Sequence, residues 1–173
     1  MIQAFIFAVI FFSAVIQISF LPNFFPAGAV PDLLLVFIIL WSMKKEIKEI
    51  WIWILLTGLF LDFFSLLPAG TNISAVFTVV FLIRILMRQY FITDKVWKFF
   101  TSAGFVIIGT LVNEIVLFLI LKFILKEDVV MFSDKNFYLR IAYNLMTFLI
   151  IYWPFAKFEK VLEFYNHKNK IIR

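Results

Sequence analysis

Gly58-Leu-Phe-Leu-Asp62-Phe-Phe-Ser65-Leu-Leu-Pro68-Ala-Gly70-Thr-Asn72 is the stretch that decides how this chain is read. One carboxylate, Asp62, interrupts a run that is otherwise almost wholly apolar, and the run ends in a Pro-x-Gly turn without a charge. Ionised groups at bilayer depth are unfavourable by roughly 2.5–3.5 kcal/mol each on insertion scales, so they turn toward protein or water and often mark function. Gly58, Asp62 and Ser65 follow one another at spacings of four and three, which sets them on one helical face. That face is small and polar. The opposite one, with Leu59, Phe60 and Phe63, is bulky and suits lipid. In the next apolar run Arg84 stands alone in the same way.

Composition bounds what surrounds this stretch. The chain has 173 residues, 64% hydrophobic and 16% charged, with a mean hydropathy of +1.04. A soluble domain of that size cannot bury so much apolar surface, so lipid is the solvent for most of it. There is no cysteine, which excludes disulfides, thiolate catalysis and Cys-based metal sites. The single histidine, His167, lies in a polar tail with no second histidine to share a metal. A net charge of +5 in such a chain reads as orientation in the membrane and not as nucleic-acid binding. Residues 2–20 form an apolar stretch longer than the ~7–15 residues of a cleaved signal core, and no Lys or Arg precedes them. They read as a span, although Ala27-Gly28-Ala29, crowded by Pro26 and Pro31, resembles a cleavage site.

The fold expected is all-α: one integral membrane domain over residues 1–173, a polytopic bundle of six transmembrane helices with an amphipathic surface helix at its C-terminal end. The helices are expected at about 2–20, 32–46, 50–67, 73–91, 99–125 and 137–153, with the surface helix at about 155–166. In the first, Ala4 and Ala8 form a small-xxx-small pair that permits close packing. Pro22, Pro26, Gly28 and Pro31 forbid helix over 21–32, while Phe24, Phe25 and Val30 keep that loop apolar, at the membrane surface or folded back into the protein. Asp32 is placed to cap the second helix, with Lys44 and Lys45 reaching toward headgroups at its end. Trp51 and Trp53 open the third at an interface-like position. Gly104 and Gly109 thin one side of the fifth, and 126–136 is a polar loop. Pro154 is expected to break the sixth, after which Phe155, Phe158, Val161, Leu162 and Tyr165 recur at helical spacing. With both termini on one face, that face carries eleven Lys and Arg against four on the other, Arg84 set aside, which puts the termini in the cytoplasm.

This topology places Asp62, Asn113, Glu114 and Asn144 in one layer of the outer half of the bundle. Arg84 lies deeper by roughly 9–10 Å of helix rise and is expected to bridge toward Asp62, Glu114 or both. Either these groups only neutralise one another and pin helices together, or they line a working pocket. No catalytic constellation is visible: no helix interior holds a Lys, His or Cys to activate a nucleophile. Neither a phosphate loop nor metal-ligand spacing occurs.

The six-segment layout, Pro31-Asp32-Leu-Leu-Leu at the start of the second segment, and Gly58-x3-Asp62-x5-Pro68-x-Gly70 closing the third resemble the MreD family of bacterial rod-shape-determining proteins. The likeness extends over the whole chain in layout, on few specific residues: Pro31, Asp32, Gly58, Asp62, Pro68 and Gly70. It implies a non-enzymatic, cofactor-free subunit of the bacterial inner membrane that supports peptidoglycan synthesis in the cell-elongation machinery. The implied partners are a single-span MreC-like protein and, beyond it, RodA, a penicillin-binding protein and MreB, along with membrane lipid. The layout is also similar to the vitamin-binding S subunits of ECF transporters. That likeness implies an alternative, an outward-opening small-molecule pocket lined by Asp62, Asn72, Glu114 and Asn144, with Ala4 and Ala8 docking on a coupling subunit.

Overall fold

The computed structural model describes residues 2–25, 29–43, 47–65, 67–89, 95–124, 126 and 135–171, and every regular element among them is helical. Helix α1 (Ile2–Val15) runs on through a widened π turn, Ile16–Phe20, and a 3-10 turn, Leu21–Asn23. Then follow α2 (Leu33–Ser42), α3 (Ile47–Phe64), α4 (Thr71–Gln89), α5 (Lys95–Leu119, prolonged by a π turn at Ile120–Ile124) and α6 (Lys135–Ile171). Pro26, Gly28, Lys44, Lys45 and the expected polar loop over 127–134 lie outside the described residues. So do the side chains of Ala4, Phe158, Val161, Leu162 and Tyr165.

The short helix α2 is the axis of the bundle. Every residue from Leu34 to Ser42 is buried, and α2 touches α1, α3, α4, α5 and α6. Its ten residues rise about 15 Å, half of a ~30 Å hydrocarbon core. A helix apolar on all sides has to be wrapped by others or by lipid, and here α3, α4, α5 and α6 follow one another around it. Since lipid is as apolar as leucine, dispersion and close approach hold such helices together more than hydrophobic transfer does. Gly109 of α5 provides one close approach: a Cβ there would stand 2.5 Å from Cδ1 of Ile39 on α2 and 3.2 Å from Cγ1 of Val79 on α4. Gly104 has open space instead, because five residues carry it to another side of α5.

The outside of the bundle is apolar. Phe12, Phe63, Phe123, Ile150 and Trp153 are all exposed, an arrangement suited to lipid. Among the described residues four helical segments are long and apolar enough to cross a membrane: Ile6–Asn23, Thr71–Arg88, Val96–Ile124 and Lys135–Lys157. Leu33–Ser42 and Ile50–Phe64 are apolar but shorter.

Two expectations change, at Phe60 and at Pro154. Phe60 does not face lipid; it packs on α1, its ring 6.2 Å from Phe7 and 6.0 Å from Phe11. Trp53 turns into the core, and Trp51 stacks on Phe77 at 4.8 Å. Helix α6 passes through Pro154 without ending. Proline sacrifices one helical hydrogen bond and crowds the carbonyl four residues back, costs that helices in a bundle absorb through their neighbours. Phe155 provides the hold, buried edge-on against Phe37 and Trp41 of α2 at 5.9 and 6.0 Å.

Candidate functional site

The α3–α4 hairpin explains the stretch around Asp62 residue by residue. Gly58 meets α4 where no side chain fits, since a Cβ there would stand 2.5 Å from the Cα of Ile73. At the turn, Gly70 adopts φ +94°, a left-handed conformation that glycine takes without steric cost. Pro68 precedes it and accepts a hydrogen bond from the Thr71 N–H at 3.1 Å. Gly70 stands at the N-cap of α4 and brings no capping side chain. Asp62 substitutes for it across the hairpin.

The Asp62 carboxylate accepts from the Gly70 N–H at 2.7 Å, the Asn72 N–H at 2.8 Å and the Asn72 side-chain amide at 2.9 Å. The same amide donates to Ser65 Oγ at 3.0 Å. The first N–H groups of a helix have no partner within it, and its N-terminus carries about half a positive charge. Asp62 answers both needs from across the hairpin. Both carboxylate oxygens are committed to this cap.

A second polar cluster secures the N-terminus of α2. The Asp32 carboxylate accepts from the Leu35 N–H at 2.9 Å, the cap expected from the sequence. Gln17, in the π turn after α1, accepts from the Leu34 N–H at 3.0 Å. Asn144 of α6 accepts from the Asp32 N–H and donates to Thr110 Oγ1 of α5 at 3.0 Å. The π turn after α1 and helix α6 thus each bond a peptide group at the start of α2, and α5 is joined to them through Asn144. The preceding loop does fold back into the protein: Ala29 and Pro31 are buried, and Phe25 lies edge-on to Tyr143 at 4.8 Å. Near this cluster Arg140 of α6 pairs with Glu114 of α5 at 2.7 Å, both within electrostatic reach of Asp32.

The polar residues expected to share a layer gather in two separately bonded clusters. Among the described residues no hydrogen bond or ion pair joins Asp62 and Asn72 to Asn113, Glu114 or Asn144. Asn113 is buried on α5. The bridge expected from Arg84 is not made either. Asp62 is held at the level of Asn72, and twelve residues of α4 place Arg84 about 18 Å further along, beyond a side chain's reach. The cation serving Glu114 is Arg140, one of the four basic residues counted on the face opposite the termini. Arg140 and Asn144 stand four apart on one face of α6, and that spacing was the available sign. Gln17 was also missed, inside an apolar run where a lone amide is easily passed over. Among the described residues no three acidic or imidazole groups gather as a metal site.

The fold and these two clusters define an all-helical bundle of membrane-protein type in which Asp62, Asp32 and Gln17 hold the starts of two helices. No protein-family model matches the chain, and no characterised protein or solved structure is significantly similar to it.

Proposed function

We propose that this chain is a non-enzymatic scaffold subunit of the bacterial inner membrane, with six crossings and both termini in the cytoplasm. It binds a single-span MreC-like protein and through it serves RodA, a penicillin-binding protein and MreB in cell elongation. The observation that carries the reading is the use made of the polar residues. Asp62 and Asp32 are each spent on a helix start, with Asn72 bonded to the first and Asn144 to the N–H of the second, and a carboxylate so occupied is a poor general base or nucleophile. A bundle clasped in this way keeps its outer faces fixed, which suits docking of another helix. Division of the polar residues into two clusters tells against the vitamin-binding alternative, whose pocket needs Asp62, Asn72, Glu114 and Asn144 around one cavity.

Tagged protein purified from its own host tests the proposal. A single-span protein with a large extracytoplasmic part is expected to co-purify, and depletion of the chain is expected to round the cells. Recovery of an ATP-driven transporter instead, with a melting temperature raised by one vitamin, would overturn it.

A further inference from the structure

The Nε and Nη2 atoms of Arg84 are buried and have no hydrogen-bonding partner. Guanidinium nitrogens withdrawn from water without an acceptor are strongly unfavourable. The charge felt by Arg84 makes this worse: it comes from Arg88, one turn further on, exposed in the last turn of α4. Like charges at that spacing repel. Among the described residues no carboxylate offsets them. Glu114 is engaged by Arg140, and Asp62 caps the far end of the same helix.

The rest of the face identifies what completes it. Phe81, Arg84, Ile85 and Arg88 recur at i, i+3, i+4 and i+7, a single stripe along α4. Phe81 and Ile85 are exposed, and the segment able to cross a membrane ends at Arg88. The stripe therefore has an apolar length followed by two guanidinium groups at the membrane boundary. Arginine forks match the oxygens of a phosphate, with two parallel charge-assisted hydrogen bonds.

We propose that Arg88, joined by Arg84 swung outward from the position in which the protein covers its Nε and Nη2 atoms, clasps the phosphate of an anionic phospholipid whose acyl chain lies along Phe81 and Ile85. The inference needs the bundle to lie in a bilayer and is independent of the scaffold reading. The exposed apolar residues beside the arginines favour a lipid over an acidic peptide, which offers no acyl chain to cover them.

The test uses full-length protein in a neutral detergent, titrated with phosphatidylglycerol, phosphatidylcholine or inorganic phosphate, and followed by native mass spectrometry and thermal unfolding. Phosphatidylglycerol is expected to stay bound and raise the melting temperature, and the other two are not. Arg84→Gln and Arg88→Gln are each expected to weaken phosphatidylglycerol binding about tenfold. Arg84→Lys falls between, because lysine keeps the charge without the fork. Arg88 is exposed, so its variant reports on binding even where Arg84→Gln folds poorly. Equal retention of phosphatidylglycerol by the wild type and Arg88→Gln overturns the proposal in favour of ordinary annular lipid. It is equally overturned if phosphatidylcholine or inorganic phosphate stabilises as well as phosphatidylglycerol. A co-purified acidic protein segment that both Gln variants lose, with no lipid retained, assigns the arginines to a protein partner instead.

Discussion

Asp62 and the two glycines that flank it in the hairpin do three different jobs, and substitutions separate them. Asp62→Asn keeps the size of the side chain but turns one acceptor into a donor, facing the N–H of Gly70 or Asn72. The variant is expected to lose about 1–3 kcal/mol, the cost of an unsatisfied buried group, read as a lower melting temperature in detergent. A Cβ at Gly70 meets nothing within 4 Å, so Gly70→Ala suffers only from its positive φ, about 1–2 kcal/mol. At Gly58 the obstacle is the backbone of Ile73 at 2.5 Å, which cannot rotate aside. Gly58→Ala must push α3 and α4 apart, and overpacking of this kind costs about 1–3 kcal/mol or more. The expected order is Gly58→Ala more damaging than Gly70→Ala. The reverse order would mean that helix approach is not what Gly58 provides.

Among the elements, α2 owes its position to partners remote in sequence. Its N-terminus opens inside the bundle, and Asn144 joins it to α5 and α6 in one pair of hydrogen bonds. Asn144→Leu is close in volume but leaves the Asp32 N–H and the Thr110 hydroxyl without this partner. It is expected to destabilise by about 1–3 kcal/mol, whereas Ala142→Leu, at an exposed position of the same helix, is expected to change little. Thermal unfolding of the two variants side by side checks this. Local signals were easily read from the sequence: the cap at Asp32, the shared face of Gly58, Asp62 and Ser65, and the existence of each helix. Tertiary pairing was not. Depth counted along each helix placed Asp62 and Glu114 in one layer, but it carries no information on which neighbour a side chain turns toward. Asp62 turned to the nearest free N–H groups and Glu114 to a cation on the adjacent helix. Pro154 misled for a related reason, since its penalty is local and the Phe155 contacts that offset it are not.

For the whole molecule, the half-length of α2 raises the question of whether the chain crosses the membrane between α1 and α3. Gln17 lies six residues before the end of the first helical segment and bonds the second residue of α2. The chain thus descends about 9 Å from the end of that segment before α2 begins. Adding the ~15 Å of α2 brings Met43 roughly 24 Å below the starting face, close to the other side of a ~30 Å core. On the proposed topology, fold-back loop and short helix together make one crossing, and Lys126, after five crossings, is expected opposite the N-terminus. The chain has no cysteine, so a single introduced thiol reports without background. Gln3 and Lys126 are both exposed and suit the purpose. In spheroplasts a membrane-impermeant maleimide is expected to label Lys126→Cys at once and Gln3→Cys only after permeabilisation. Labelling with sides exchanged would invert the bundle and contradict the distribution of Lys and Arg. Labelling of both positions from the same side would mean that α2 returns to the face it came from, leaving a re-entrant hairpin in place of a crossing.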